Sequence, residues 1–459
     1  MKKHSTLSLL QVYKYKKETH QSFFSEICMA PHTNLLFVPS GKVMACHYNR
    51  GIILGDIRNN SIKEIWNGPV LKKLRKILSK KDFSYGCQSC LNDLNVKNYF
   101  LAGNYKYMHT KKNLDGFPSY FDFQLENTCN LKCVMCSSEY SSALQGKAVA
   151  ENPYRESFFN QLAEFIPHLD SSSFTGGEPL VIKSYYEIWK MFNYLNPSAP
   201  LYISTNASHI SPALNEILEK GNFHFTVSID SLDSAVYESI RVNADFEKTM
   251  KNIDYLHTLT KEKKNSLSIK MVIMTNNYYE LPAQIEYWSS RNVEVYPKPV
   301  WVPVSLSLRN LPSGELERII KDYRNYSFKT KSEVLHGNIK RFYSLINQLE
   351  NWKNDRILCE NRKLLEKQNK EFLEKMMLDN LLYTIANDYN MDHEEKAHLI
   401  SECEKWTEAI LKINSTEKEK LKKNLIDFIL LGPVILLAEI KRNPEKLTER
   451  FNKDINLNV

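Results

Sequence analysis

Three cysteines crowd one short run, Cys129-Asn-Leu-Lys-Cys133-Val-Met-Cys136, directly after the β-rich stretch FDFQL at Phe121–Leu125. A loop with three thiols at C-x3-C-x2-C spacing suits a soft metal or an iron–sulfur centre. Three thiolates can ligate three corners of a cubane cluster and leave the fourth iron open to a non-protein ligand, which is where chemistry happens. A zinc ion completed by a distant fourth residue fits the same spacing, so the residues alone leave both open.

The other cysteines stand at 28, 46, 87, 90, 359 and 403, so seven of the nine lie in the first third of the chain. Whether they meet as disulfides depends on the compartment. The opening, MKKHSTLSLLQVYKYKKETHQ, returns to lysine before any useful apolar length and predicts no secretion signal. The most apolar stretch, Leu425–Ala438, is too short to span a bilayer and is interrupted by Asp427 and Gly432-Pro433. It predicts a buried helix broken at Pro433. The expected location is cytoplasmic, where thiols serve metals or catalysis. Lys+Arg 61 against Asp+Glu 53 leaves a net +8. That is an ordinary solvated surface, and it excludes wholesale disorder, collagen and membrane channels. No nucleic-acid signature and no membrane segment are present, so neither is an expected partner.

The middle of the chain alternates strands and helices. Strands are expected at Phe121–Leu125, Ser173–Thr175, Leu201–Thr205, Phe223–Asp230, Leu267–Met274 and Val293–Val300, with helices such as Tyr185–Leu195 and Phe246–Leu259 between them. Six strands separated by helices predict parallel βα units, in a partial barrel or a doubly wound sheet. Residues 23–92 show short strand-like pieces, a turn at Gly41 and a helix near Val70–Leu78. From about residue 313 the chain is rich in Lys, Glu and Leu and reads as helical, with capping-box spacings at Asp392…Glu395 and Thr416…Glu419.

Glycine is scarce, 14 of 459 residues, so Thr175-Gly176-Gly177-Glu178-Pro179 at the end of the second strand stands out. Together, the cysteine loop after the first strand and this turn after the next resemble the radical SAM enzymes. The resemblance covers about residues 23–305. It implies a partial (β/α)6 barrel of the radical SAM type, and a [4Fe–4S] cluster on Cys129, Cys133 and Cys136 that binds S-adenosylmethionine. Gly176, Gly177, Glu178 and Pro179 would then meet the methionine amino group: glycines permit close backbone approach, and a carboxylate accepts from an ammonium. On that expectation Gly177→Val weakens cofactor binding and leaves the iron content normal. Softer matches are Asn206 after the third strand, Ser228 and Asp230 at the end of the fourth, and Arg241 one helix later. In related enzymes a serine and an arginine hold the carboxylate or ribose. On their residues alone, Ser228 could instead cap the next helix, Arg241 could be a surface cation and Asn206 a turn residue. Met135 stands where the family often has an aromatic residue against the adenine; it could substitute by packing.

Cys28, twelve residues, Gly41, four residues and Cys46 form one half of a second pattern; Cys87-Gln-Ser-Cys90 forms the other. With the run Ser61-Ile-Lys-Glu-Ile-Trp66, expected to precede a helix, this is similar to the SPASM/twitch modules that hold auxiliary clusters. The resemblance implies one closed auxiliary [4Fe–4S] cluster on Cys28, Cys46, Cys87 and Cys90. The seven-cysteine form of the module is absent, and the module precedes the barrel, whereas in the family it more often follows. A zinc ribbon uses the same knuckle. Cys359 and Cys403 read as buried free thiols. His393-Glu394…His398 is one residue too long for a zinc-protease pair.

The expected organisation is therefore α/β, with an auxiliary-cluster module of α+β type at 23–105, a radical SAM core at 118–305 and a helical region at 306–459. The expected function is oxidative modification of a peptide or protein through a 5′-deoxyadenosyl radical, with flavodoxin or ferredoxin as external reductant. A radical SAM dehydrogenase of a small molecule and a non-catalytic zinc-binding interaction protein are the alternatives.

Overall fold

The computed structural model describes residues 5–440 except 23–24, 96, 98, 100–101, 146–151, 387–392, 412–417, 432–435 and 438–439. The predicted capping residues Asp392 and Thr416 and the break at Pro433 lie outside the described residues.

The framework is one nine-stranded sheet: β1 Asn34–Phe37, β2 Lys42–Met44, β3 Gly55–Asp56, β4 Tyr120–Phe123, β5 Ser171–Phe174, β6 Leu201–Thr205, β7 Phe223–Ser228, β8 Leu267–Ile273 and β9 Glu294–Pro299. The order is β3-β2-β1-β4-β5-β6-β7-β8-β9. The six strands expected from sequence are β4–β9, and each pairs in parallel with the next. Their spatial order follows chain order with no reversal. A doubly wound sheet has a switch point where the order reverses; this sheet has none, so the fold is the partial barrel. Helices such as Lys183–Leu195, Pro212–Lys220 and Phe246–Glu262 return the chain between strands.

Strand periodicity divides the sheet into two faces. Phe121, Phe123, Phe174, Ile203, Phe225, Ile269 and Met271 are buried on one face. Trp189 and Trp288, from the crossover helices, are also fully buried. Each such side chain contributes about 1.5–3 kcal/mol by leaving water. The other face is polar: Asp122, Ser173, Tyr202 and His224 stand in one register row, Ser204, Thr226, Ser268 and Glu294 in the next, and Ser228, Lys270 and Tyr296 in the third. The barrel interior is thus a place for a solvated guest rather than an apolar core.

The N-terminal segment is joined to this sheet. β1 pairs in parallel with β4, and β2 and β3 add antiparallel strands outside it. Gly41, at φ +79°, turns the chain between β1 and β2, where a side chain would be strained. The run Ile62–Trp66 does not precede a helix; it is one, started by the reciprocal Ser61–Glu64 capping box. The helix expected near Val70–Leu78 spans Pro69–Ser79.

Asp122 pins the two parts together. It is wholly buried on β4 and accepts from Lys106 Nζ at 2.8 Å, Tyr107 Oη at 2.6 Å, Asn34 Nδ2 at 3.0 Å and Ser173 Oγ. His47 Nε2 lies 3.5 Å away. Burial alone would raise its carboxyl, but Lys106 and His47 hold it well below the usual range.

The chain divides into two compact units, 1–307 with 327–345, and 308–326 with 346–459. The second is helical and has its own core, including Leu373, Leu381, Cys403, Trp406, Leu425 and Phe428. Asp427, the charge inside the apolar stretch, is buried there in an ion pair with Arg362. Among the described residues, no helix is long and apolar enough to cross a membrane.

Asp122→Ala takes the acceptor from several buried donors and from the partly exposed Lys106 ammonium, and is expected to cost about 2–3 kcal/mol in urea unfolding of the metal-free chain. Because the folded-state pKa is depressed, this stabilisation is present above the unfolded value of about 4 and is lost as pH falls below it. Equal stability of wild type and variant at pH 7 would refute the role.

Candidate functional site

The cysteine loop hangs from the C-terminal end of β4 and is tied down on every side. Lys132 and Val134 donate their backbone N–H groups to Val242 and Ile240, each at 2.9 Å. Cys129 N–H donates to Ser142 Oγ at 3.1 Å, and Ser141 Oγ donates to the Leu131 carbonyl at 2.9 Å. Asn130 donates to Ser208 Oγ at 2.8 Å. The three thiols are half-buried and lie within electrostatic reach of one another. Burial pushes Cys133 up to about 11, opposed by Arg241 and reinforced by Asp230, Cys129 and Cys136.

The glycine turn is fastened to this loop. Gly177 N–H donates to the Glu126 carbonyl at 3.0 Å, and Glu178 N–H to the Thr128 carbonyl at 2.8 Å. A Cβ on Gly176, where φ is +122°, would stand 2.4 Å from the Glu126 carbonyl oxygen; one on Gly177 would stand 2.1 Å from that of Thr128. The close approach that these glycines permit is therefore to the chain's own cysteine loop. The expectation that Gly177→Val disturbs only the cofactor is corrected, because a side chain there collides with the residue before Cys129. Pro179 is buried at the start of the short 3₁₀ turn that follows.

Glu178 is buried and faces inward. Its carboxylate accepts from Leu180 N–H at 3.0 Å, Thr205 Oγ1 at 2.5 Å and Asn206 N–H at 2.6 Å. It thereby ties the turn to the end of β6. Burial raises its pKa against these donors. Asn206 is a turn residue, accepting from Ser208 N–H at 2.8 Å, and its Nδ2 also reaches Asn130 at 3.3 Å. Sequence reasoning missed Asn130, Ser141, Ser142 and Ser208, which bear no motif of their own.

Arg241 is no surface cation. It is buried, with Nη2 2.8 Å from the wholly buried Asp230 and Nη1 3.8 Å from Cys133 Sγ. Burial lowers its pKa, but Asp230 and Cys133 outweigh that and hold it raised. Burial pushes Asp230 upward, opposed by Arg241 and the Val272 N–H. Arg241 Nε is buried without a partner, a donor free for an acceptor. Ser228 does not cap the next helix; Asp233 does, accepting from Val236 N–H. Met135 packs against Ile240, Met274 and Val300 at the strand ends.

The second cysteine set converges. Burial raises Cys28, and Cys46, Cys90 and Cys87 raise it further. Burial pushes Cys87 and Cys90 up to about 12, each with Cys46 as its largest charged neighbour. Asn49 Nδ2 donates to Cys87 Sγ at 3.2 Å. Cys46 also feels Asp122 and Lys106, so this site and the barrel interior share one polar network. Among the described residues, no group of three His, Cys, Asp or Glu side chains stands close enough to share a single metal ion. Cys403 is buried as expected, whereas Cys359 is exposed.

On the polar face of the sheet lies a cavity of about 590 Å³ lined by Lys106, Lys111, Ser171, Ser173, Tyr202 and Ser204, among others.

Two family models match this chain: the radical SAM superfamily over residues 125–281, and the iron–sulfur cluster-binding domain SPASM over residues 28–91. The chain carries a radical SAM domain and a SPASM domain. Similar curated proteins include a GTP 3′,8-cyclase of Vibrio cholerae, 24% identical over 179 residues, 38% of this chain and 52% of that one. A probable GTP 3′,8-cyclase of Methanocella arvoryzae is 27% identical over 168 residues, 36% and 50% of the two chains. The chain spans about half the length of these relatives. Among solved structures, Streptococcus suis SuiB bound to S-adenosylmethionine is similar at 18% identity and TM-score 0.34, covering 46% of this chain and 44% of that one. Native anSMEcpe with bound S-adenosylmethionine is similar at 16% identity and TM-score 0.35, covering 45% and 60%.

Gly177→Ala is expected to break the backbone pairing between turn and loop. Hydrogen exchange should then show the Glu178 amide losing its protection by at least tenfold, about 1.4 kcal/mol. Unchanged protection would place the loop's support elsewhere.

Proposed function

We propose that this radical SAM enzyme oxidatively modifies a peptide or protein. Cys129, Cys133 and Cys136 hold a [4Fe–4S] cluster at three corners, and Cys28, Cys46, Cys87 and Cys90 hold one closed auxiliary cluster. When bound, the two clusters and S-adenosylmethionine supply a 5′-deoxyadenosyl radical that takes a hydrogen atom from the substrate, and a sink for the electron left behind. The observation that carries this reading is the cysteine loop at the end of β4 fastened to the Gly176–Gly177 turn by two backbone hydrogen bonds.

The chain's own residues position and insulate. Glu178 braces the turn and keeps acceptor capacity for an ammonium, since its two oxygens take three donors. Arg241, with its unpartnered Nε, suits a carboxylate. Ser228 stands at the end of β7 and Asn206 just after β6, where each can meet the cofactor, and Met135 offers an apolar face to the adenine. Residues 23–105, 118–305 and 306–459 are assigned as auxiliary module, radical core and helical region. A flavodoxin or ferredoxin supplies the electron.

Three thiols on one loop leave a ligand position open for the cofactor, which supports a cluster over a closed zinc site. The peptide reading rests on the SPASM match and its continuity with the barrel sheet. The names of the curated relatives favour a second reading, a small-molecule substrate such as a nucleotide.

Triple replacement of Cys129, Cys133 and Cys136 by Ala is expected to remove about four irons and abolish 5′-deoxyadenosine formation. Retained formation would sink the assignment. Replacing Cys28, Cys46, Cys87 and Cys90 by Ala should uncouple the reaction: 5′-deoxyadenosine forms, but oxidised product does not. Zinc in the wild-type module by metal analysis would exclude the electron-sink role, because zinc has no accessible redox change. Consumption of GTP by the reconstituted enzyme would decide for the small-molecule reading.

A further inference from the structure

The concave wall made by β7, β8 and β9 carries two lysines that the preceding reading does not use. On β8, Ile269, Met271 and Ile273 are buried on the helix side, and the strand period turns Ser268, Lys270 and Val272 to the barrel interior, where Ser268 is buried and Lys270 exposed. On β9, Val295 is buried on the helix side, which turns Glu294, Tyr296 and Lys298 inward. The parallel register sets Lys270 beside Tyr296 and Ser228, and Lys298 beside Val272. Lys270 and Lys298 are therefore diagonal neighbours, two positions apart on adjacent strands, within reach of one small guest.

Both acids on this wall are already engaged. Asp230 pairs with Arg241 at 2.8 Å and accepts the Val272 N–H at 2.7 Å. Glu294 pairs with Arg341 at 2.7 Å and accepts from Tyr296 Oη at 2.9 Å. Among the described residues, no carboxylate forms an ion pair with Lys270 or Lys298. Both side chains remain open to solvent in the barrel, so each ammonium is hydrated, but two like charges on one wall repel, and an anion between them relieves that repulsion. Their titration agrees with the geometry. Burial lowers Lys270, and Lys298, Arg241 and Lys106 lower it further, with Asp230 opposing; burial also lowers Lys298.

We propose that Lys270 and Lys298 form a binding site for an oxyanion, carboxylate or phosphate, on the substrate itself. The proposal rests on the radical reading only in calling the guest a substrate. The placement fits that use. Met135 of the cysteine loop packs on Met274 and Val300, four residues beyond Lys270 and two beyond Lys298. At about 3.3 Å per strand residue, the anion lies about 7–13 Å beneath the loop. That separation leaves room for the reacting carbon between anion and cofactor. The hydroxyls of Ser228, Thr226 and Ser268 share the face and can donate to the same guest. An acidic residue of a peptide and a phosphorylated small molecule both present this chemistry.

The test is amine labelling of the reconstituted full-length enzyme, read by peptide mass spectrometry at constant ionic strength. Lys270 and Lys298 are expected to lose labelling several-fold on addition of inorganic phosphate or acetate, while the exposed Lys190 does not change. Stronger protection by phosphate points to a phosphorylated substrate, and stronger protection by acetate to a carboxylate. Lys270→Met and Lys298→Met should each weaken binding of the better anion by about tenfold, and Lys270→Arg should restore most of it. Cleavage of S-adenosylmethionine by Lys298→Met should match wild type. Labelling that ignores both anions would overturn the proposal. So would protection of Lys270 and Lys298 by S-adenosylmethionine alone, which would give the pair to the cofactor. Failure of wild type to form 5′-deoxyadenosine, with anion protection intact, would instead count against the radical reading and leave the anion site standing.

Discussion

Two backbone hydrogen bonds hold this site together, Gly177 N–H to Glu126 and Glu178 N–H to Thr128. They bring the turn after β5 against the loop after β4 at a distance only glycine allows. Everything that flanks the cysteines follows from that contact. Glu178, fixed in place by it, draws in Thr205 and Asn206 from β6. Asn206 in turn reaches Asn130, inside the cysteine run. Three strand ends are thereby locked to one loop through fully satisfied polar groups, which is what a buried network needs in order to stabilise rather than cost.

A second constraint sits one layer below. Asp122 gathers Asn34, His47, Lys106 and Tyr107 from the N-terminal segment onto a barrel strand. With β1 paired to β4, the N-terminal cysteines are built onto the same sheet as the cysteine loop. Both thiol sites are thereby carried by one continuous sheet. The polar inner face of that sheet carries the cavity.

Much of the barrel was legible in the chain. The six strands begin and end within about two residues of their expected limits, because β-rich runs and helix-period runs alternate cleanly. The cysteine loop and the glycine turn were legible because their residue types have few other uses at that spacing. The alternatives for Ser228 and Arg241 were not separable in sequence. A serine before a helix and an arginine after one look the same whether exposed or buried, and only packing made Asp233 the cap and Arg241 a buried cation.

What the sequence determined by itself was local: which residues form strands, which loop bears thiols, and where the backbone can bend sharply. Those features depend on side-chain periodicity and on conformational freedom at single positions. The tertiary structure alone decided the rest. It showed that Gly176 and Gly177 serve the cysteine loop, that β1 extends the barrel sheet, and that Cys28, Cys46, Cys87 and Cys90 come within electrostatic reach of one another. It also left Lys270 and Lys298 without an acid on the concave wall, because Asp230 and Glu294 found arginines first. These are contacts between residues far apart in the chain, set by strand order and register, and no local pattern encodes them.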